Sequence, residues 1–337
     1  MSKKKKKKNK VKKIFIFEII LILLLIPIIY IFLQVDKISS DGMNLNVMQN
    51  DRNLQSLNLP YRNIAIFGVD SRANDLKKNT RSDSIMIMSI NKKTKEIKLA
   101  SIFRDTYVNI EGHGYTKMNH AYSYGGPELA ISTINTNFDL NCDEFVTVNF
   151  SALTNVIDLL GGITLNIEKD ELKYVNDYAR DVAKINGTKY NKINSPGEQV
   201  VDGTQATGYC RVRYTSGGDF RRAKRQRTVV EQIFKKAKKS NVKTLLSIVN
   251  EITPQIYTSL DTPQILGYGK DIFFYDIGGQ KGFPTENKLG KLGGTSYVFP
   301  DTLETNVSEL HEYLCGTKNY TPSNTVQSRS QEIASMY

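Results

Sequence analysis

An apolar run near the N-terminus limits what this chain can fold into more than any other feature. Residues 14–33 are almost entirely apolar, and nine lysines lie within residues 3–13. Twenty residues at about 1.5 Å rise each span about 30 Å, the thickness of a bilayer core. Because lysines precede the run and few basic residues follow it closely, the N-terminus is predicted to be cytoplasmic.

We interpret this run as an uncleaved signal anchor rather than a cleaved signal peptide. It is longer than a usual signal-peptide core, and no A-x-A pattern follows it. The residues after about position 36 are therefore expected outside the cell membrane. The predicted organisation is a basic cytoplasmic tail (1–13), a membrane span (14–33), a polar stalk (34–60), an α/β domain (61–316) and a disordered polar tail (317–337).

The charge of the chain is concentrated at its N-terminus. The net charge is +12, but residues 1–33 carry nine lysines and one glutamate, which leaves only +4 for the rest. A nucleic-acid-binding domain needs a strongly basic surface. We therefore predict no nucleic-acid partner.

The cysteines and histidines exclude several kinds of site. The three cysteines (Cys142, Cys210 and Cys315) fit neither a metal motif nor a disulfide framework. A single disulfide between two of them is kept as an alternative. The three histidines are scattered, so neither a zinc site nor a Ser-His-Asp triad is supported.

Beyond the stalk, predicted strands alternate with predicted helices. Apolar runs with turn residues between them predict strands at 63–70, 82–90, 96–103, 144–150, 163–167 and 295–299. Helical periodicity predicts helices at 127–138, 151–160, 170–185, 241–252, 261–275 and 304–314. This order predicts a layered α/β domain with one sizeable core.

Basic residues cluster in the segment RVRYTSGGDFRRAKRQRTVVEQIF, residues 211–234. We predict that Arg211 and Arg213 lie on a strand and share one of its faces, with Cys210 a buried thiol on the other. A helix is predicted to begin near Asp219. Two guanidinium groups on one face suit phosphate oxygens.

The same helix has an unusual polar edge. At about 100° per residue, Arg222 and Gln226 fall on the side of the apolar residues, whereas Arg221 and Lys224 point away. Burying an unpaired guanidinium costs several kcal/mol by a rough figure, so an anionic partner is expected. The segment is interpreted as one wall of a pyrophosphate pocket, against the alternative of a solvated basic face with structural ion pairs.

Two aspartates mark the ends of the first predicted hairpin strands. Asp70 closes the first strand and Asp83 opens the second, so pairing would bring both carboxylates to one sheet edge. Oxygen ligands without histidine suit Mg²⁺, with Mn²⁺ as a further option. The alternative is a turn or cap role. Arg81 and Arg104 could reach the same edge, and Lys117 lies in a Tyr- and Gly-rich loop before a helix. The alternative to a site role for these three basic residues is that they form structural ion pairs with Asp70, Asp83 and Asp105.

Six ordered blocks resemble the LytR-CpsA-Psr family of cell-wall transferases: GVDSR, RSDSIMIMSI, SIFRDT, KMNHAYSYGG, CRVRY and GDFRRAKRQR. A later block, TSYVFPDTLETNVSELHEYL, is similar too. The resemblance covers about residues 61–316 and implies a three-layer α/β/α sandwich with a mixed central sheet. It also implies a membrane-anchored, Mg²⁺-dependent phosphotransferase. Such an enzyme moves a phospho-glycopolymer, for example teichoic acid or capsule, from a polyprenyl-diphosphate carrier to peptidoglycan.

The resemblance also implies roles for individual residues. Asp70 and Asp83 would hold Mg²⁺. The diphosphate would contact Arg81, Arg104, Lys117, Arg211, Arg213, Arg222 and Gln226. Catalytic roles are implied for Arg81, Arg104 and Asp219, and Asp219 could cap the helix, orient an arginine or accept a proton. Arg221 stands where many relatives have glycine, and Arg225 is a weaker candidate.

Two other functions stay open. A pyrophosphatase would act on the same lipid with water as the acceptor, and a non-enzymatic envelope regulator would need no transfer chemistry. In either transferase or hydrolase, the lipid needs an apolar cavity, for which the helices predicted at 127–138, 151–160 and near 227–237 are candidates. Plain core packing is the alternative for these helices.

Overall fold

A computed structural model describes residues 60–70, 76, 77 and 79–336. Its centre is a six-stranded sheet, and three two-stranded sheets surround it. The strands are β1 (Tyr61–Val69), β2 (Ser82–Asn91), β3 (Glu96–Ile102), β4 (Tyr107–Ile110), β5 (Gly114–Lys117), β6 (Cys142–Asn149), β7 (Ile163–Ile167), β8 (Gly197–Val201), β9 (Ile256–Thr258), β10 (Asp276–Phe283), β11 (Asn287–Leu292) and β12 (Thr295–Pro300).

Helices connect the strands. The α-helices are α1 (Met118–Phe138), α2 (Phe150–Leu159), α3 (Leu172–Asn186), α4 (Gly203–Arg211), α5 (Gly218–Lys238), α6 (Val242–Ile252), α7 (Thr262–Asp271), α8 (Leu303–Cys315) and α9 (Asn324–Ala334). Two short 3₁₀ turns follow α6 and α7.

The central sheet has the order β10-β3-β2-β1-β6-β9 and is mixed. Strand β1 pairs antiparallel with β2 and parallel with β6, and β10 runs parallel to β3. The prediction of a mixed α/β fold is therefore confirmed.

Both faces of the sheet are covered, because alternate residues of each strand belong to different cores. On β1, Ala65 and Phe67 belong to a core that includes residues of α1, α8 and α9. Ile64 and Ile66 face the opposite side, where Val230 and Phe234 of α5 pack. Side chains that alternate between two buried faces require layers on both sides of the sheet.

Helix α5 joins this sheet to a smaller cluster. Its Val229 and Ile233 pack into a core built from α2, α3, α4 and the β7–β8 pair, while Val230 and Phe234 pack toward the central sheet. One helix therefore holds two packing units together, and its N-terminal end lies where both meet the ends of β1 and β2.

The helix predicted at 127–138 is the second part of α1 and belongs to the closed core. Ala130, Ile131, Ile134 and Phe138 are all fully buried against the sheet. These buried positions match plain core packing, the alternative given for this helix. Residues 118–124, predicted as a loop, are helical, and the helix is interrupted at Gly125 and Gly126.

The prediction of a strand for Arg211 and Arg213 is also wrong. Arg211 ends helix α4, and Arg213 lies in the following loop. The helix is fixed at its start by a capping box, in which Asp202 and Gln205 bond to each other's backbone N–H at 2.8 and 2.9 Å. Gly208 allows close packing, since a Cβ there would lie 2.7 Å from the Ala179 nitrogen.

Three further predictions need correction. Ser151 is predicted from the sequence as the N-cap of α2, but the N-cap is Asn149, whose side chain accepts from the Ala152 N–H. Strands β4, β5, β8, β9, β10 and β11 were not predicted. The tail at 317–337, expected to be disordered, contains α9, which packs Val326 and Ile333 into the main core. Buried Asp139 anchors its start, accepting hydrogen bonds from the Ser323 N–H at 2.6 Å and hydroxyl at 2.7 Å.

The predicted membrane span at 14–33 and the stalk at 34–60 lie outside the described residues, apart from Pro60. Within the part of the chain that the structure describes, no helix has the length and apolar character needed to cross a membrane.

The packing of α9 against the core predicts that its buried residues stabilise the domain. Ile333 is 1% exposed, so Ile333→Ala is expected to lower the free energy of unfolding by about 2–5 kcal/mol. Gln331→Ala on the exposed side of the same helix should change it by less than about 0.5 kcal/mol. Chemical denaturation of the domain would measure both. Equal stability of the two variants would mean that the tail is not part of the folded domain.

Candidate active site

The ends of β1 and β2 bring two aspartates to one cavity. Antiparallel pairing places Gly68 opposite Ser84 and Val69 opposite Ser82. Asp70 follows β1 directly and Asp83 is the second residue of β2. Both line a cavity of about 230 Å³, which we call the diphosphate cavity after the ligand that the sequence predicts for these residues. Its other lining residues are Phe150, Tyr178, Cys210, Arg211, Arg213, Arg222 and Gln226.

Most of the predicted site residues therefore meet at this cavity, although they come from distant parts of the chain. The helical phase of α5 carries Arg222 and Gln226 into it, as predicted. Arg211 lies at the end of α4 and Arg213 lies in the loop after it, although a strand was expected to carry both.

Arg104 is held between carboxylates beside the cavity. Its Nη1 donates to Asp83 Oδ1 at 2.5 Å, and its Nε donates to Asp219 Oδ2 at 3.1 Å. Asp105 lies 3.7 Å from the same Nε. Burial by itself lowers the pKa of Arg104, but the charges of Asp219, Asp83 and Asp105 outweigh it and raise the pKa above its ordinary value.

Asp219 joins two arginines. Its Oδ2 accepts from Arg104 and also from Arg222 Nη2 at 2.8 Å. It lies in the first turn of α5, where the N-cap is Gly217 and makes no side-chain cap bond. Of the three roles considered for Asp219, the geometry matches the orientation of arginines and not helix capping.

Arg222 is buried without full hydrogen bonding. It is 3% exposed, and its Nη2 also donates to the Asp83 carbonyl at 3.2 Å. Its Nε and Nη1 are buried and have no hydrogen-bond partner among the described residues. Burial lowers the pKa of Arg222 to about 10, although Asp219 counteracts it. An unmet buried donor costs about 1–3 kcal/mol, which a ligand oxygen in the cavity would recover.

Arg211 and Arg213 complete the basic lining. The Arg211 guanidinium lies over the rings of Phe150 (4.9 Å) and Tyr178 (5.4 Å), and its buried Nη1 has no partner among the described residues. Arg213 Nη2 lies 3.6 Å from Asp83 Oδ2, and its side chain is 40% exposed. Both cations therefore keep donors for a ligand.

Arg81 and Lys117 lie outside the lining of the diphosphate cavity. Arg81 is exposed. Lys117 Nζ forms an ion pair with Asp105 Oδ1 at 2.9 Å. Both lie near His120, whose pKa is lowered first by burial and then by their charges. Asp105 therefore lies between Lys117 and Arg104 and contacts both. This arrangement matches the alternative in which Lys117 forms an ion pair with Asp105.

The other arginines of α5 are paired elsewhere. Arg221 points away from the cavity, as predicted, and contacts Glu168, Asp170 and Glu171. Arg225 and Glu171 form an ion pair at 2.8 Å, and both side chains are 2% exposed. Sequence reasoning missed Glu171, which lies 54 residues away and carries no local signal.

Arg225 also supports the loop that carries Arg213. Its Nη1 donates to the Val212 carbonyl at 3.0 Å, and its Nη2 donates to the Thr215 hydroxyl at 2.6 Å. These acceptors flank Arg213 on both sides. Arg225 is therefore a positioning residue.

Arg227 shows that burial alone does not define a ligand site. It is 6% exposed, and its Nε and Nη1 have no partner among the described residues. Burial lowers its pKa to about 10. However, it does not line the diphosphate cavity, and a Cβ at Gly282 would lie 3.3 Å from its Nη1.

The cysteines are all free and buried, as predicted for Cys210. Burial raises the pKa of Cys210 to about 12, so its thiol is neutral where it lines the cavity. A thiolate nucleophile has no support.

The donor set at the cavity suits a hard cation. Asp70 and Asp83 are the two carboxylates in its lining. No cluster of three or more His, Cys, Asp or Glu residues suited to a metal occurs among the described residues. Mg²⁺ is commonly held by one or two carboxylates together with substrate phosphates, so two carboxylates fit such a site.

Comparisons with known proteins identify the family. The model of the LytR_cpsA_psr family matches residues 30–306. The polyisoprenyl-teichoic acid–peptidoglycan teichoic acid transferase TagT of Bacillus subtilis is 31% identical over 207 residues, 60% of this chain and 62% of TagT. TagU of Bacillus licheniformis is 36% identical over 175 residues, 51% of each chain. The chain thus spans about half to three fifths of these curated relatives.

Solved structures share the fold. A structure described as TagT bound to LI-WTA has a TM-score of 0.61 and 25% identity, covering 80% of this chain and 92% of that one. Another, described as the LytR-CPS2A-psr family protein YwtF (TagT) with bound octaprenyl pyrophosphate lipid, has a TM-score of 0.58. At 24% identity, with coverage of 80% and 94%, it supports the fold alone.

The buried Arg225–Glu171 pair is predicted to contribute to the stability of the domain. Arg225→Ala is expected to cost about 3–5 kcal/mol, because it leaves the Glu171 carboxylate buried and unpaired. Arg180→Ala is the control, since Arg180 pairs with Asp177 on the surface, where both side chains are about half exposed; it should cost less than about 1 kcal/mol. Urea denaturation compares them, and a neutral Arg225→Ala would contradict the assignment.

Proposed function

Because the chain belongs to the LytR_cpsA_psr family, we propose that it is a phosphotransferase acting on a polyprenyl-diphosphate-linked glycopolymer. The acceptor is peptidoglycan, and the polymer is a teichoic acid, a capsular or another secondary wall polysaccharide. The names of the relatives support this proposal. The observation that carries it is Arg222, a buried guanidinium with two unmet donor nitrogens beside the diphosphate cavity.

The charge pattern suits a diphosphate. Arg211, Arg213 and Arg222 line the cavity with Gln226, and all three guanidinium groups present planar donor sets that match phosphate oxygens. Arg104 approaches from beside Asp83. The carboxylates of Asp83 and Asp219 hold Arg104, Arg213 and Arg222 together without meeting all of their hydrogen-bond donors.

Asp70 and Asp83 would hold Mg²⁺, with Mn²⁺ as an alternative. When bound, the cation would neutralise charge on the diphosphate oxygens. Asp83 is shared with Arg104 and Arg213, so its carboxylate would orient these arginines as well as the cation.

The transfer step is a substitution at the phosphorus next to the sugar. A peptidoglycan hydroxyl oxygen forms the new P–O bond while the bond to the bridging oxygen breaks. Polyprenyl phosphate leaves with that electron pair, and the hydroxyl proton passes to solvent. The guanidinium groups of Arg104 and Arg222 stabilise the charge that develops on the departing phosphate.

The lipid chain is expected on the sheet face covered by α5. Ile66, Met88 and Val146 of the sheet and Val230 and Phe234 of the helix are partly rather than fully buried. Partly buried apolar surface next to a charged cavity suits a diphosphate with an attached hydrocarbon chain.

The predicted signal anchor would place this site next to its lipid substrate. Residues 14–33 would span the membrane with the N-terminus cytoplasmic, and the domain would lie on the outer side. A reporter fused to the C-terminus that is active only outside the cytoplasm would support this topology. Cytoplasmic activity of the reporter would contradict it.

Transfer tests the role of the arginines. Arg104→Ala and Arg222→Ala are each expected to lower the transfer rate about 100-fold or more, because each removes a preorganised donor from developing phosphate charge. The assay supplies a polyprenyl-diphosphate-linked polymer and a peptidoglycan acceptor and measures the conjugate. Arg180→Ala, at an exposed position of α3, is the control.

The products separate transfer from hydrolysis. Polymer attached to peptidoglycan supports the transferase. Free phosphorylated polymer without conjugate would favour a pyrophosphatase, and unchanged transfer by both arginine variants would remove these residues from the mechanism.

Metal dependence tests the aspartates. Asp70→Asn should raise the Mg²⁺ concentration needed for half-maximal transfer by at least about tenfold, since loss of outer-shell partners alone costs about 10–100-fold in metal affinity. Asp177→Asn, at an exposed surface pair, should leave it unchanged. An Asp70→Asn variant with an unaltered Mg²⁺ titration would exclude Asp70 as a ligand.

A further inference from the structure

A second cavity, of about 480 Å³, lies beside Asp219. Its lining includes Phe103, Asp105, Asp219, Phe220, Leu289 and Tyr297. The last two belong to the β11–β12 hairpin, so we call this cavity the hairpin cleft. No residue of the hairpin lines the diphosphate cavity.

The hairpin is tied to the segment that follows β3. The Val298 N–H donates to the Asp105 carbonyl at 2.9 Å, and Thr106 forms a β-bridge with Val298. Tyr297 packs against Tyr107 and Phe299, with ring centroids 5.0 and 5.7 Å apart. The wall of the cleft is therefore held by backbone and aromatic contacts.

The floor of the cleft combines aromatic and acidic groups. Phe103 and Phe220 form an edge-to-face pair with centroids 4.5 Å apart, and Asp105 and Asp219 lie beside them. Leu289 is 71% exposed at this hairpin. Apolar surface with a few convergent hydrogen-bond acceptors is typical of sites for small organic ligands.

This combination selects among the possible ligands. The carboxylates of Asp105 and Asp219 are paired with cations, Asp105 with Lys117 and Asp219 with Arg104 and Arg222. Their remaining lone pairs accept hydrogen bonds from hydroxyls, which neither an ionised phosphate nor a hydrocarbon chain supplies. A pyranose ring suits both features, because its C–H face can lie on an aromatic side chain and its hydroxyls can donate to carboxylates. The ligand class is therefore a neutral saccharide.

One side chain of the cleft contacts a residue of the diphosphate cavity. Asp219 lines the cleft, and its Oδ2 accepts from Arg222 of the diphosphate cavity and from Arg104. A saccharide hydroxyl donating to Asp219 would lie one residue away from the phosphate-binding guanidinium groups. An acceptor hydroxyl needs a position of this kind, close to the groups proposed to bind the diphosphate.

We propose that the hairpin cleft binds the saccharide that accepts the transferred group. This inference rests on the proposed transferase function and extends it by assigning the acceptor subsite to the β11–β12 hairpin. Leu289 and Tyr297 contribute apolar contact, and Asp105 and Asp219 accept hydrogen bonds from hydroxyls.

Two variants test the cleft. Leu289→Ala changes an exposed side chain and leaves the fold intact, and Tyr297→Leu keeps apolar volume but removes the aromatic face. Each is expected to raise the KM for a peptidoglycan glycan fragment about tenfold, with little change in kcat or in affinity for the lipid donor. Val200→Ala, 65% exposed on the β7–β8 hairpin, is the matched control.

Direct binding makes the test independent of transfer. Saturation-transfer NMR with an N-acetylglucosamine tetramer, without lipid donor, should give signals for the wild type and weaker signals for both variants. This result would support the cleft even if the wild type performed no transfer, which would contradict only the proposed function. Absent wild-type signals, or equal signals in both variants, would overturn the assignment.

The donor also carries sugars, and the kinetic experiment separates the two sources. If the variants weaken affinity for the glycan-bearing donor and leave the acceptor KM unchanged, the cleft holds the donor glycan and the acceptor assignment is wrong. An unchanged acceptor KM in both variants, with unchanged donor affinity, would also overturn it.

Discussion

The site depends on attraction between a few carboxylates and a larger number of guanidinium groups. Arg104, Arg213 and Arg222 are close enough that the charges of Arg104 and Arg213 lower the pKa of Arg222, after the larger effect of its burial. Asp83 and Asp219 oppose this repulsion by contacting all three. Because the carboxylates leave several guanidinium donors unmet, the assembled site still favours an anionic ligand.

Arginines of one helix illustrate the difference between structural and ligand-binding charge. Arg225 has hydrogen-bond partners for Nε, Nη1 and Nη2, and Arg221 contacts three acidic residues. Arg222 lies between them in the sequence, yet two of its nitrogens lack partners among the described residues. Its place in the cavity lining distinguishes it from Arg227, whose nitrogens are also unmet.

The proposed function involves three surfaces of the domain. The partly buried apolar face between the sheet and α5 suits a lipid chain, the basic cavity suits a diphosphate, and the aromatic, acidic hairpin cleft suits a saccharide. Helix α5 contributes to all three, through Phe234, Arg222 and Phe220.

Local sequence rules determined the features whose geometry depends on near neighbours. Helical periodicity placed Arg222 and Gln226 inward and Arg221 and Lys224 outward, and the pattern of paired strands placed Asp70 and Asp83 at one edge. The tertiary structure decided the rest. Alternation in RVRY resembles a strand, but a capping box and packing at Gly208 make Arg211 the end of a helix. The Arg225–Glu171 pair, the packing of α9 and the hairpin cleft join residues far apart in the chain, and no local periodicity encodes such contacts.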